Sequence, residues 1–121
     1  VIKSRWPARC TPSLDTATEK LRARDFAEQS LALSRQLDHP YRTAAVLHRL
    51  GSIANGLDEF DAAVAYFQQS LTIFRTLDDR FNLTLVLAEL GRAMYMTGKF
   101  PPESVMALLH EAVTYARALG T

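Results

Sequence analysis

A pattern that returns at a fixed interval constrains this chain more than any other feature. Leu50-Gly51 recurs as Leu90-Gly91 and Phe60 as Phe100, each 40 residues on. Upstream, Glu28-Gln29-Ser30-Leu31 corresponds to Gln68-Gln69-Ser70-Leu71, and Arg35-Gln36-Leu37-Asp38 to Arg75-Thr76-Leu77-Asp78, at the same interval. Past Phe100 the register slips by two, so that Ser70-Leu71 aligns with Ala112-Val113 and Arg75 with Arg117. The extra residues fall near Pro101-Pro102, where a loop absorbs an insertion at little entropic cost. Self-similarity on this scale is the signature of a stacked-repeat architecture.

Each period reads as two helices. Val46, Leu47, Leu50, Ile53, Ala54 and Leu57 recur at spacings of three and four, the helical period. Gly56 and Asp58 break the pattern, and Phe60, Ala63, Val64, Phe67, Leu71, Phe74 and Leu77 resume it. Gly98, Lys99 and Pro101 interrupt the next period in the same way. A turn of so few residues forces paired helices to pack antiparallel. The expected fold is therefore all-α, made of antiparallel helical hairpins, with five helices over residues 13–37, 41–56, 59–77, 80–97 and 102–119. Residues 1–12 read as an irregular leader. Residues 13–121 read as one domain: a half-repeat over 13–39 and repeats over 40–79 and 80–120. Pro12 suits the first turn of the first helix, with Thr11 or Ser13 as its N-cap, and His39-Pro40 ends it. That helix reads as the second member of a repeat whose first is missing. Since the chain also lacks an initial Met, it reads as a piece of a longer protein or one with an added leader. Gly51 and Gly91 sit in helix interiors, where glycine costs about 1 kcal/mol against alanine. The repeated cost points to close approach of a neighbouring helix, with Ala63 doing the same from the other side and Phe67 filling the space between hairpins.

Composition narrows the function by exclusion. With 121 residues, 48% of them apolar, the chain is long enough for one core. A net charge of +1 argues against a bulk nucleic-acid partner. Cys10 is the sole cysteine, so no intrachain disulfide forms. No stretch of about 18 apolar residues suggests a membrane span, and the leader lacks the apolar segment of a signal peptide; a cytoplasmic location is expected. His110-Glu111 begins like a zinc-protease helix, but the residue where a second histidine is needed is Thr114. His39, His48 and His110 show no ligand spacing. A Cys10–His48 nucleophile pair competes with the plainer reading of a terminal thiol and a surface imidazole. Gly51, Gly56, Gly91 and Gly98 lie too far apart for a phosphate loop. No catalytic residue, metal or cofactor is expected. Lys20, Arg22 and Arg24, interspersed with Asp15, Glu19, Asp25 and Glu28, read as a solvated helix face rather than a nucleic-acid footprint. Met94-Tyr95-Met96 reads either as an adaptable contact patch or as core with one exposed side chain.

The run Leu47, Leu50-Gly51, Ala54, Ala63, Phe67, Ser70 resembles the tetratricopeptide-repeat family. So does Leu87, Leu90-Gly91, Met94, Val105, Leu109, Ala112, and the leading half-repeat offers Ala23, Ala27 and Ser30. The period of 40 departs from the usual 34 of the family, and Arg35, Arg75 and Arg117 stand where its second helix commonly ends on proline. The longer period is similar to repeats of kinesin light chains and of bacterial signal-transduction ATPases and transcription regulators. The resemblance implies a right-handed α–α superhelix acting as a protein-interaction scaffold, with a peptide or protein partner on its concave face. The residues placed there are His48, Ser52 and Asn55, then Ala88, Arg92 and Tyr95. The family's carboxylate clamp, Lys and Asn at the first two of these positions, is absent, since they are His48 and Ser52, then Ala88 and Arg92. The alternative role is self-association, including a homodimer through the open repeat ends.

Overall fold

The alternation of apolar spacing and breaks becomes five helices in a computed structural model, which describes residues 12–120, with side chains from residue 18 onward. They are α1 (Pro12–Gln36), α2 (Pro40–Gly56), α3 (Phe60–Leu77), α4 (Arg80–Thr97) and α5 (Pro102–Gly120). Every bound falls within one residue of expectation. Of the leader, Pro12 belongs to α1, and residues 1–11, with Cys10 and its pairing to His48, lie outside the described residues.

The breaks work through the backbone. Asp38, Asp58, Asp78 and Gly98 take the left-handed conformation, with φ of 51°, 61°, 54° and 69°. They stand 20 residues apart, so the 40-residue period is two equal turns of chain. Such a residue closes a helix by pointing its N–H back at the last carbonyls. Asp78 does so to Arg75, at 3.1 Å. Aspartate tolerates this region better than most side chains because its carboxylate can bond locally. The next helices start on side-chain caps: His39 Nδ1 accepts from the Arg42 N–H at 3.2 Å, and Asp79 Oδ1 from the Asn82 N–H at 3.2 Å.

Contacts run chiefly between helices adjacent in the chain, with α2 also touching α4. This neighbour-only pattern is that of a repeat stack. Phe67, Phe74, Leu47, Leu50, Val86 and Leu87 are fully buried in it. Ser70, also buried, donates its hydroxyl to the Ala44 carbonyl at 2.8 Å, fastening α3 to α2.

Two expectations sharpen. The neighbouring helix approaches Gly51 through the Phe67 ring, and Gly91 through the Leu109 side chain and the Val105 carbonyl; Phe67 fills the notch that the glycine leaves. Of Met94-Tyr95-Met96 only Met94 is core, while Tyr95 and Met96 are both exposed. The basic cluster is also sorted by the packing. Lys20 donates to the Gly56 carbonyl at 3.0 Å and Arg24 pairs with Glu59 at 2.6 Å, so both tie α1 to the α2–α3 turn, while Arg22 is exposed.

Candidate partner-binding face

The site forms where α2 and α4 lie side by side. Asn82 on α4 donates to the Tyr41 hydroxyl at 3.5 Å, held in place by Asp79, whose Oδ2 accepts from Asn82 Nδ2 at 2.7 Å. Two turns further along α4, Glu89 receives the Ser52 hydroxyl at 3.2 Å and pairs with His48 Nε2. His48 in turn lies over Phe67, ring centroids 5.9 Å apart, so this polar cluster rests directly on the core. Ala45, His48, Arg49, Ser52 and Asn82 line an open cleft of about 400 Å³ between the helices.

The six expected face residues divide into two groups. His48 and Ser52 are joined through Glu89. Asn55, one turn beyond Ser52, has its side-chain oxygen buried and without a hydrogen bond among the described residues. Ala88, Arg92 and Tyr95 occupy the same repeat positions on α4 and are exposed, Tyr95 at 73%. Glu89 was not among the expected residues. A signal for it exists: two of the three side-chain ties between α2 and α4, Tyr41–Asn82 and His48–Glu89, span 41 residues, one more than the period, while Ser52–Glu89 spans 37. Counting one past the repeat from His48 lands on Glu89.

On the outer side, arginines make the matching ties. Arg35 donates to Gln69 at 3.2 Å and Arg75 to both oxygens of Glu111 at 2.8 Å, linking α1 to α3 and α3 to α5. Exposed pairs of this kind contribute about 0–1 kcal/mol each and serve more to set register. Among the described residues no three His, Cys, Asp or Glu side chains gather as a metal site would need. No described helix is long and apolar enough to cross a membrane.

Helical hairpins packed one on the next, with a polar seam along adjacent first helices, define the class of helical-repeat scaffolds. A family model for the tetratricopeptide repeat matches residues 19–76 and, in a second placement, 42–102. The chain belongs to the tetratricopeptide-repeat family, whose members generally mediate protein–protein interaction and are typically scaffolds rather than enzymes. No curated protein matches it.

Proposed function

We propose that this chain, one domain built of a half-repeat over 13–39 and repeats over 40–79 and 80–120, is a cytoplasmic protein-interaction module. In this reading it is part of a larger bacterial regulatory or signalling protein and holds a peptide or protein segment along the face shared by α2 and α4. Asn55 carries the proposal. A buried acceptor with no donor costs roughly 1–3 kcal/mol, and a peptide N–H met by a turn of the Asn55 carboxamide toward the α2–α4 face would relieve it. Arg92 has no ion-pair partner among the described residues and offers a two-pronged donor to a carboxylate. Tyr95 adds a large amphipathic surface of the kind enriched at binding hot spots. Glu89, already engaged by His48 and Ser52, holds the seam in register and leaves Asn55, Arg92 and Tyr95 as the recognising groups. The partner this face suits is an extended segment with a free carboxylate near an aromatic or apolar side chain.

The test is a peptide selected for binding from a random library, its affinity measured by calorimetry against the native chain and the Asn55→Ala/Arg92→Ala variant. Loss of one hydrogen bond and one charge-assisted pair predicts affinity weaker by about 10–100-fold. Unchanged affinity for every selected peptide would remove the binding face from α2 and α4.

A second reading, self-association, is favoured by the far end of the stack. Val64 and Leu71 of α3 are buried, but their counterparts on α5, Met106 and Val113, are about half exposed and line an apolar cleft with Leu109 and His110. Phe81 and Leu85 extend the apolar surface on α4. Two copies meeting through this surface predict a mass in sedimentation equilibrium that rises with concentration, and falls back in Met106→Glu/Val113→Glu. A monomer at every concentration excludes it.

A further inference from the structure

Helix α1 does not begin where its counterparts do. The left-handed turn residues fall at 38, 58, 78 and 98, and the same step backwards reaches Thr18. There α1 runs straight on, back to Pro12, and at 25 residues it is longer than any other helix. Among the described residues, then, no left-handed turn falls at the matching position ahead of α1. The place of an antiparallel helix ahead of α1, against both α1 and α2, is left unfilled by the described residues.

The walls of that place can be read from the hairpin that follows. On α3, Ala63 and Ser70 lie fully buried under α2, with Ser70 donating to the Ala44 carbonyl. Their counterparts 40 residues earlier, Ala23 and Ser30 on α1, are exposed. On α4, Asn82 and Glu89 are the side chains that reach back to α2. Their counterparts on α2 are Arg42 and Arg49, both exposed. Two adjoining clefts of about 270 and 240 Å³ run between α1 and α2 and share Ser30, Val46 and Arg49. Phe26, 71% exposed, lines one of them. Arg24, Arg75 and Lys99 all have carboxylate partners. Neither Arg42 nor Arg49 has one among the described residues.

We propose that this groove, which shares Ala45 and Arg49 with the cleft between α2 and α4 but none of Asn55, Arg92 and Tyr95, receives a single amphipathic α-helix from another protein. That helix sets small and apolar residues on Ala23, Ser30 and Phe26, and two carboxylates about two turns apart against Arg42 and Arg49. Seven residues on a helix return to nearly the same face, which is why the two arginines point together. One helix is accepted and a hairpin is not, because α1 already stands where the second member of the hairpin would lie. A further copy of this chain is a poor occupant for two reasons. Its α4 in the same register would set Arg92 against Arg49, and its α5 would collide with α1. Residues 1–11 carry Lys3, Arg5 and Arg9 and no carboxylate, so they too bring the wrong charge. The recognition is thus charge-selected, with like charge rejecting wrong partners as effectively as opposite charge holds the right one.

The probe is a fluorescein-labelled peptide with the sequence of residues 39–57, the helix that fills the equivalent place on α3 and α4. It carries Tyr41→Glu and His48→Glu, the positions that meet Asn82 and Glu89. A control peptide carries Lys at both. Anisotropy with the full chain is expected to show the Glu peptide binding at least about tenfold tighter than the Lys peptide, as charge-selected recognition requires. In the Arg42→Glu/Arg49→Glu chain the preference should invert, and Ala23→Trp, which fills the groove, should abolish binding of both. All three positions are exposed, so helicity by circular dichroism should be unchanged. The Asn55→Ala/Arg92→Ala chain should bind the Glu peptide as the native chain does, which separates this site from the other. Equal binding of the two peptides, a preference that survives the charge reversal, or indifference to Ala23→Trp would overturn the proposal. So would phosphatidylserine vesicles that bind through Arg42 and Arg49 while the Glu peptide does not, since the patch would then be a membrane contact.

Discussion

Phe67→Ala should lower the stability of this chain by about 3–5 kcal/mol, the usual cost of truncating a fully enclosed phenylalanine. The ring is completely buried in the main core, lies against the Gly51 backbone on one helix, and supports His48 from beneath. Its loss removes transfer free energy and also opens a cavity, because α2 is held to α3 independently by the Ser70–Ala44 hydrogen bond and cannot simply collapse inward. Against a typical total of roughly 5–15 kcal/mol, this is the difference between a folded and a marginal protein. At about 4 °C per kcal/mol for a domain of this size, the melting temperature should fall by about 12–20 °C. Urea unfolding followed by circular dichroism checks it. A midpoint shift with unchanged slope means that the whole stack loses stability together; a reduced slope means that hairpins begin to unfold separately. A loss below about 1 kcal/mol would show that α2 and α3 are not held together through this ring.

Much of this architecture was legible because helical periodicity reports which residues face a core, and left-handed breaks report where helices end. Asp38, Asp58, Asp78 and Gly98 mark the ends of four helices almost to the residue. What periodicity cannot report is which neighbour a polar side chain on the remaining faces will find. Arg35 and Arg75 looked like mere departures from a family proline; they are ties to Gln69 and Glu111 one repeat on. Lys20 and Arg24 looked solvated, yet they reach the next turn. These contacts depend on the stagger between helices, which the period of 40 approximates but does not equal. The stagger of 41 between α2 and α4 decides that His48 meets Glu89 rather than Ala88. His48 and Ser52 therefore lie together on the seam between α2 and α4, while the acid that joins them was missed. The length of α1 was legible, by contrast, because Pro12 marks its first turn and His39-Pro40 its end.

The second large effect separates helix propensity from packing at two glycines that the repeat makes equivalent. Gly51→Ala and Gly91→Ala each gain about 1 kcal/mol of helix propensity. At Gly51 the new methyl would stand 2.5, 2.7 and 2.8 Å from three carbons of the Phe67 ring, closer than real side chains approach. The ring is enclosed on every side and has no free volume to move into. Overpacking of this kind costs about 1–3 kcal/mol and sometimes more; contacts this close put the cost toward the upper end, so packing wins and Gly51→Ala should be net destabilising by up to about 2 kcal/mol. At Gly91 the nearest atoms are Leu109 Cδ2 at 3.1 Å and Cγ at 3.4 Å, on a half-buried side chain beside the open cleft of α5. Leu109 can yield by a few tenths of an ångström, so propensity wins there and Gly91→Ala should be neutral or stabilising by up to about 1 kcal/mol. Opposite signs at the two positions, read from urea midpoints, are the expected result. Adding Phe67→Leu to Gly51→Ala gives the same pairing that Gly91→Ala makes with Leu109. The double variant should therefore be more stable than the sum of its single losses by at least about 1 kcal/mol, the coupling expected of two side chains competing for one space. Strict additivity, or a stabilising Gly51→Ala, would mean that α2 and α3 lie further apart than the buried ring requires.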